Sequence, residues 1–205
     1  MSEADSVKDE IAHLDVSHRE LLHQGHLLTF VSETFDYSGD EMRREFVQHP
    51  GAVGVIALDE KDRVLTIRQY RHPIRSWSWE APAGLLDVVD EPLLVAAQRE
   101  LAEEADLAAT DWAVLLDLVS SPGMSNEFVR VFLARGLSAT AVYAREGEEA
   151  DIEVRWVPLD DVVAAAMRGD IRNAILVAGV FAAANARDRG WAGLRTPDAA
   201  PLQRR

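Results

Sequence analysis

The amino-acid sequence predicts an α+β protein with helices layered on a mixed sheet, and two observations support this fold class. Short apolar segments typical of strands follow one another along the chain, while one amphipathic helix lies at its centre and two helices close it. Regular alternation of strands and helices is missing, as are the motifs G-x-G-x-x-G and G-x-x-x-x-G-K-[ST]. The sequence therefore excludes the Rossmann and P-loop folds.

The length, net charge and cysteine content of the chain exclude several classes of protein and of functional site. The chain has 205 residues, 48% of them hydrophobic, which predicts one globular domain or one domain with an accessory piece. Its 21 Lys and Arg against 35 Asp and Glu give a net charge of −14, which argues against nucleic acid as a main partner. Cysteine is absent, which excludes disulfides, thiolate zinc sites and a cysteine nucleophile. With neither a signal-peptide pattern nor an apolar run of roughly 20 residues, we expect a cytoplasmic protein without a membrane partner.

The first third of the chain predicts two pairs of strands. Residues 1–15 are polar, and segments 26–37 and 42–49 flank a Ser-Gly-Asp turn, which predicts an accessory antiparallel hairpin. Segments 52–58 and 64–70 predict a second hairpin of two apolar strands.

The remaining elements follow in order. Residues 72–84, rich in Trp and Pro, predict a loop. Further strands are expected at 112–119, 128–134 and 152–158, and helices at 92–105, 159–167 and 173–187. The predicted division is a tail and accessory hairpin at 1–49, a main domain at 50–190 and a tail at 191–205.

The helix predicted over 92–105 carries three carboxylates on one side. At about 100° per residue, Glu100, Glu103 and Glu104 project within an arc of about 100°. Like charges at this spacing destabilise a helix by a few tenths of a kcal/mol per pair. Two explanations stay open on the helix alone: a solvated acidic face relieved by Arg99, or a site for Mg²⁺ or Mn²⁺, which prefer oxygen ligands.

The segment around this helix resembles a known motif. The string GLLDVVDEPLLVAAQRELAEEADL, residues 84–107, is close to the Nudix box G-x5-E-x7-R-E-U-x-E-E-x-G-U, where U is a bulky aliphatic residue. It departs from the box at two places, since the first gap has six residues and Asp106 replaces a glycine. Asp106 is expected at the helix C-cap, where a left-handed backbone is common. Neither departure touches the carboxylates.

The Nudix resemblance implies an α/β/α sandwich that hydrolyses a nucleoside diphosphate linked to another moiety. It makes Glu100 and Glu104 the principal metal ligands, Glu103 a further ligand or catalytic group, and Arg99 the residue that orients the acids. It adds the carbonyl of Ala83 as a ligand and implies two or three Mg²⁺ ions, with Mn²⁺ as a possible substitute.

Two features outside the box resemble the ADP-ribose pyrophosphatase group, in its actinobacterial, mycobacterial type. Pro122 lies fifteen residues beyond Leu107, and the strings RQYR (68–71) and WEAPAG (79–84) lie upstream. The resemblance implies that Arg71 contacts the α-phosphate and that Glu80 and Glu127 lie near the ribose and metal. The expected substrate-binding residues are thus Arg71, Glu80, Pro122, Met124 and Glu127, together with Arg44.

The same resemblance implies a homodimer and a catalytic base. The hairpin 26–49 is expected to be exchanged between subunits, with Arg44 delivered to the partner's site; the alternative is an exposed strand charge. In the acidic loop 145–151, Glu149, then Glu148, is expected to act as the base, although such a run is also typical of a solvated loop.

The expected function is hydrolysis of ADP-ribose to AMP and ribose 5-phosphate. The alternatives are a Nudix enzyme for another nucleoside diphosphate derivative and a non-catalytic ADP-ribose sensor.

Overall fold

The chain divides into two compact units in the computed structural model, which describes residues 7–143 and 151–201. Of the described residues, the first unit holds 7–49, Ser121–Asn126 and Pro201, and the second holds Pro50–Ser120 and Glu127–Ala200 where described.

The first unit is a three-stranded antiparallel sheet of β1 (Val16–Gln24), β2 (Thr29–Tyr37) and β3 (Asp40–Gln48). Ser38 and Gly39, both with positive φ, make the β2–β3 turn, as twisted two-residue hairpins require. The sequence predicted β2 and β3 but missed β1, because eight of its nine residues are exposed and carry no clean apolar alternation. The backbone N–H of Val47 donates to the Met124 carbonyl at 2.8 Å, which ties the segment 121–126 to β3.

The second unit contains seven strands and three helices among the described residues. The strands are β4 (Ala52–Ala57), β5 (Arg63–Arg71), β6 (Ser76–Glu80), β7 (Ala83–Leu85), β8 (Leu107–Val119), β9 (Phe128–Ala139) and β10 (Glu153–Pro158). The helices are α1 (Leu93–Ala105), α2 (Leu159–Met167) and α3 (Ala174–Asp188). One sheet has the order β7-β4-β9-β8, with β4 and β9 parallel, and the other has the order β10-β5-β6.

Strand β4 lies at the centre of the sandwich because both of its faces are buried. Its period-2 alternation sends Val53 and Val55 to a core that includes Leu101 of α1, and Ile56 to a second core that includes Leu176 of α3. Apolar cores on both faces of a mixed sheet make an α/β/α sandwich, which confirms the predicted fold class.

The hairpin predicted from 52–58 and 64–70 is wrong. Strand β4 pairs with β7 and β9, whereas β5 pairs with β6 and β10, and a single bridge between Leu58 and Val64 joins the two segments. The turn after β4 is closed by the Asp59 carboxylate, which accepts the N–H groups of Lys61 and Arg63 at 2.9 Å. Beyond this turn, β5 joins the other sheet.

The loop predicted at 72–84 is also wrong, because it contains a 3₁₀ turn at His72–Ile74 and the strands β6 and β7. The string SWSWE alternates with period 2, which is a strand pattern that the two flanking prolines obscured.

Residues from 191 to 200, predicted as the start of a tail, lie against β8 and β9. Arg195 accepts the N–H of Val114 through its carbonyl at 3.0 Å and donates to Asp117 at 2.8 Å. No helix within the described part of the chain combines the length and apolar character needed to cross a bilayer.

Candidate active site

Helix α1 carries two buried carboxylates. It begins directly after Pro92 and ends at Asp106, whose φ of 55° and ψ of 37° give the left-handed C-cap that the sequence predicted. Glu100 and Glu104, one turn apart, are 9% and 4% exposed, whereas the side chain of Glu103 is 40% exposed. A solvated acidic face therefore does not describe Glu100 and Glu104.

Strand β7 fixes the position of both buried carboxylates. The Ala83 backbone N–H donates to Glu104 Oε2 at 2.9 Å. A Cβ at Gly84 would lie 1.9 Å from the Glu100 carboxylate carbon. Only glycine leaves the space that Glu100 occupies, so the first residue of the predicted motif has a packing reason.

Arg99 joins the acids of the motif into one network. Its Nη1 donates to Glu100 Oε1 at 2.6 Å and to Glu103 Oε2 at 3.1 Å, while Nε and Nη2 donate to the two oxygens of Glu91 at 3.2 and 3.1 Å. The hydrogen bond to Glu91 and the charge of Glu100 raise the pKa of Arg99 above its ordinary value, although burial opposes the shift. Arg99 therefore stays cationic beside the carboxylates and offsets their mutual repulsion.

The donor set suits a divalent cation. Among the described residues, no three acidic or histidine side chains are gathered into a ready metal cluster. Mg²⁺ does not need one, because proteins hold it by one or two carboxylates and leave its other positions to water and substrate phosphates. Glu100 and Glu104 supply that pair of oxygen donors, and the space at Gly84 shows that the fold reserves room for one of them.

Arg71 and Glu80 form a bidentate ion pair near the strand that holds these acids. Arg71 Nη2 lies 2.7 Å from Glu80 Oε2 and Nε lies 3.1 Å from Oε1. The Glu80 side chain is 4% exposed, whereas that of Arg71 is 40% exposed. The buried acid therefore orients an arginine that still reaches solvent, and an oriented guanidinium is well suited to binding phosphate.

Both residues line a cavity of about 390 Å³ whose wall also includes Ala83. Strand β6 contributes Trp77 and Trp79, and the α2–α3 connection contributes residues 170–173. Both tryptophans belong to the Trp- and Pro-rich segment 72–84, whereas no sequence pattern indicated that residues 170–173 would line the same cavity.

The remaining predicted site residues that the structure describes, Arg44, Pro122, Met124 and Glu127, do not line this cavity. Glu127, just before β9, accepts a hydrogen bond from the Ser120 hydroxyl. Arg44, Pro122 and Met124 belong to the first unit, where all three are exposed, and Arg44 Nη1 donates to the Arg43 carbonyl at 2.8 Å. Their roles toward substrate stay predictions. Glu148 and Glu149 lie outside the described residues.

Comparisons with known proteins agree with this geometry. A family model described as the NUDIX domain matches residues 48–177. The chain is 42% identical over 164 residues to an ADP-ribose pyrophosphatase of Mycobacterium tuberculosis, covering 80% of this chain and 79% of that protein. It is 36% identical over 126 residues to an ADP-ribose pyrophosphatase of Bacillus subtilis, covering 62% and 68%.

At the level of fold, a crystal structure described as an ADP compounds hydrolase superposes with a TM-score of 0.74 at 22% identity, covering 89% of this chain and 99% of that one. The matched domain model spans α1 and its carboxylates together with the cavity beside β6. From its sequence and from the buried acids that α1 presents to β7, this chain belongs to the Nudix family.

Proposed function

We propose that this Nudix hydrolase cleaves the pyrophosphate bond of ADP-ribose to give AMP and ribose 5-phosphate. One observation carries the proposal: Glu100 and Glu104 are buried on α1 against β7, and β7 also borders the cavity that holds Arg71 and Glu80. The two relatives at 42% and 36% identity are named ADP-ribose pyrophosphatase, which supports this substrate.

The carboxylates of α1 are the proposed metal ligands. Glu100 and Glu104 would hold Mg²⁺, or Mn²⁺ in its place, and Glu103, the more exposed acid, would join directly or through water. The carbonyl of Ala83 would complete the set, with two or three ions per site. Bound there, the cation would neutralise diphosphate charge and lower the pKa of a water molecule.

Arg71 is the proposed clamp for the α-phosphate. Its guanidinium is held by both oxygens of Glu80, so that little side-chain entropy is lost when it engages a phosphate. Glu80 keeps the planar donor group aimed in one direction. Arg71→Lys would lose the bidentate fork and would raise KM more than it lowers kcat.

The catalytic base is proposed to be Glu149, then Glu148, from the acidic sequence segment 145–151. A base in general acid–base catalysis contributes about 10²–10⁴-fold. Glu149→Gln and Glu148→Gln, compared in one assay, identify the base by the larger loss of kcat. Equal activity of both variants and the wild type would reject this segment as its source.

The enzyme is further proposed to act as a cytoplasmic homodimer, with Arg44 completing the partner's site. The exposed position of Arg44 on β3 supports this, because its guanidinium remains accessible to another chain. Light scattering after size-exclusion chromatography tests the oligomeric state, and a mass of one chain would overturn the proposal.

Release of AMP from ADP-ribose, with and without Mg²⁺, tests the reaction in the wild type and in Glu104→Gln. We expect metal-dependent turnover in the wild type and a loss of at least about 100-fold in the variant, because the cation supplies several kcal/mol of charge stabilisation. Glu60→Gln, the same change at an exposed turn residue, is the matched control and should keep full activity.

Two results would replace the proposal. Faster turnover of a dinucleoside polyphosphate, an oxidised nucleotide or a reduced dinucleotide would assign another Nudix substrate. Binding of ADP-ribose without turnover of any nucleotide would identify a sensor.

A further inference from the structure

Asp106 stands where the Nudix box has a glycine, and the backbone conformation alone does not account for an aspartate there. Its φ of 55° lies in the left-handed region, which glycine adopts without strain and an L side chain does not. The backbone N–H closes the helix on the Leu101 and Ala102 carbonyls, as that of a glycine would. What the aspartate adds at this position is a carboxylate.

This carboxylate ties the end of α1 to the chain that follows β9. Asp106 Oδ1 accepts the Tyr143 N–H at 2.8 Å, and the Asp106 carbonyl accepts the Thr140 N–H at 2.9 Å. The carbonyl bond continues the ladder of β8 and β9, which pairs Leu107 with Ala139, and any residue at position 106 could make it. The bond to Tyr143 depends on the side chain of Asp106 and lies beyond the end of β9.

Tyr143 is the last described residue before the acidic segment 145–151, which carries the proposed base. The chain is anchored again directly after this segment, because Ile152 packs against the core that includes Leu101 of α1. An extended chain spans at most about 3.3–3.6 Å per residue. The two anchors therefore limit how far Glu149 can lie from α1.

Resting on the proposed function, we propose that Asp106 is a positioning residue for the hydrolysis: its hydrogen bond to Tyr143 fixes the start of the segment that carries the base relative to the metal-binding carboxylates of α1. Glu100 and Glu104 lie on the helix that Asp106 ends, and the proposed base follows Tyr143 along the chain. The attacking water has to meet the metal and the base at once, so a small displacement of either group is costly in rate.

Three variants separate the side chain of Asp106 from its backbone. Asp106→Gly restores the glycine of the motif, keeps the left-handed cap and removes the acceptor. Asp106→Asn keeps an Oδ1 acceptor and tolerates the same backbone. Asp62→Gly is the matched control, because Asp62 has a φ of 54° in the turn between β4 and β5. Circular dichroism checks that each variant is folded.

Hydrogen exchange of single amides, followed by NMR on the ¹⁵N-labelled chain, tests the hydrogen bond without turnover. We expect the Tyr143 amide to exchange at least about tenfold faster in Asp106→Gly than in the wild type, because its acceptor is gone. The Thr140 amide, which donates to a backbone carbonyl, should change less than about twofold. Asp106→Asn and Asp62→Gly should leave both amides close to the wild type.

Kinetics and metal titration test the role in catalysis. On ADP-ribose with Mg²⁺, Asp106→Gly should lower kcat about tenfold, since a misplaced base slows the step that follows binding. KM and the affinity for Mn²⁺ should each change less than about twofold, because Glu100 and Glu104 keep their positions against β7. Asp106→Asn and Asp62→Gly should keep kcat within about twofold of the wild type.

Four results would overturn the proposal: equal exchange of the Tyr143 amide in the wild type and Asp106→Gly, an unchanged kcat in Asp106→Gly, a loss of metal affinity as large as the loss of kcat, or an equal loss of kcat in Asp106→Gly and Asp106→Asn. A wild type that turns over no nucleotide would overturn the proposed function, and the catalytic role of Asp106 with it. The exchange of the Tyr143 amide would still show whether the hydrogen bond exists, so the two failures are distinguishable.

Discussion

At the residue scale, the position of the Glu100 carboxylate depends on the absence of a side chain at residue 84. Gly84 faces the Glu100 carboxylate so closely that any Cβ there would overlap it. Packing in a protein interior leaves no slack of that size, so the carboxylate and not the strand would have to move. The glycine leaves this space for the Glu100 carboxylate, which links the absence of a side chain at residue 84 to the proposed metal binding.

Gly84→Ala is expected to displace Glu100 and to lower Mg²⁺ affinity and activity together, by at least about tenfold, as losses of metal-orienting contacts do. Titration of the variant and the wild type with Mn²⁺ in place of Mg²⁺ measures the metal affinity, and an activity assay then measures the loss of turnover. Gly179→Ala is the matched control: its new Cβ would lie 2.6 Å from Ile56 side-chain atoms in the core, so it should lower stability and leave metal affinity unchanged. Equal metal affinity in the two variants would refute the role assigned to Gly84.

A second residue-scale feature is the ion group in which Asp117 binds the buried Arg130 and the partly exposed Arg195. Arg130 is 1% exposed and donates to both Asp117 oxygens at 2.8 and 3.0 Å, while Arg195 donates at 2.8 Å. Burial alone would raise the pKa of Asp117, but the hydrogen bonds and charges of the two arginines outweigh it and hold the pKa below its ordinary value. The group joins β8 and β9 to the segment 191–200.

Because its native pKa is depressed, Asp117 stabilises the fold above its unfolded pKa of about 3.9, and this contribution is lost as pH falls through the native value. Asp117→Asn is expected to lower the free energy of unfolding by roughly 3 kcal/mol at pH 7, since it leaves buried Arg130 without its charge partner. Urea unfolding from pH 7 to pH 3 should show the difference between the wild type and the variant shrinking below about pH 4.

Asp188→Asn is the control for the Asp117 experiment. Asp188 is 70% exposed and pairs with Arg187 at 3.3 Å, so its loss should cost under about 1 kcal/mol. A difference for Asp117→Asn that stayed constant down to pH 3 would contradict the linkage.

At the element scale, α1 is the part of the molecule that its own sequence describes best. The predicted bounds 92–105 and the observed Leu93–Ala105 differ by one residue, because Pro92 lies just before the helix. The motif placed the acids, whereas the apolar residues that are buried are Leu93, Ala96, Ala97 and Leu101. What the helix alone did not reveal is that Glu100 and Glu104 share the buried side, which depends on β7 packing beside them.

The C-cap of α1 supports a stability prediction. Asp106 has a left-handed backbone, and its Oδ1 accepts the Tyr143 N–H at 2.8 Å. Asp106→Ala keeps the strained conformation and loses the acceptor, so it should lower the free energy of unfolding by about 1–2 kcal/mol. Asp106→Gly relieves the strain as it loses the bond, so it should stay within about 1 kcal/mol of the wild type.

Urea unfolding of both variants measures this difference, with Asp106→Asn as the control that keeps both an acceptor and tolerance for this conformation. Glycine and alanine variants of equal stability would contradict the account of this cap.

At the scale of the whole molecule, the negative net charge favours the proposed binding of a metal cation at α1. A net charge of −14 raises the self-repulsion of the folded chain, and the proposed metal binding would relieve part of it at α1.

The domain boundaries predicted at residues 49 and 190 remain predictions. The described residues divide into two units between His49 and Pro50 and again on either side of Ser121–Asn126.

Mg²⁺ is therefore expected to stabilise the native protein without any substrate. At about 100 times its Kd, a ligand that binds only the native state adds about 2.7 kcal/mol, or roughly 5–10 °C in Tm for a chain of this size. Differential scanning calorimetry with MgCl₂, against NaCl of equal ionic strength, separates binding from screening. Glu104→Gln should lose most of the shift and Glu60→Gln should keep it; an equal shift with NaCl would contradict a specific site.

The sequence by itself determined the features that depend on local order along the chain. These are the period of the apolar residues in α1 and β4, the spacing of Arg99, Glu100, Glu103 and Glu104, and the left-handed cap at Asp106. Each is written within a few residues, because helix and strand periods and motif spacings are local properties. The Nudix family and its carboxylates follow from them.

Only the tertiary structure decided what distant segments do to one another. It placed Gly84 against Glu100, paired β5 with β6 and β10 in place of β4, and brought residues 170–173 into the wall of the cavity that Trp77 also lines. Strand pairing and cavity walls depend on which buried faces meet across long stretches of chain, and no local pattern encodes that choice. The residue types of the candidate site can therefore be predicted from the sequence, whereas the shape of its cavity is determined by the tertiary fold.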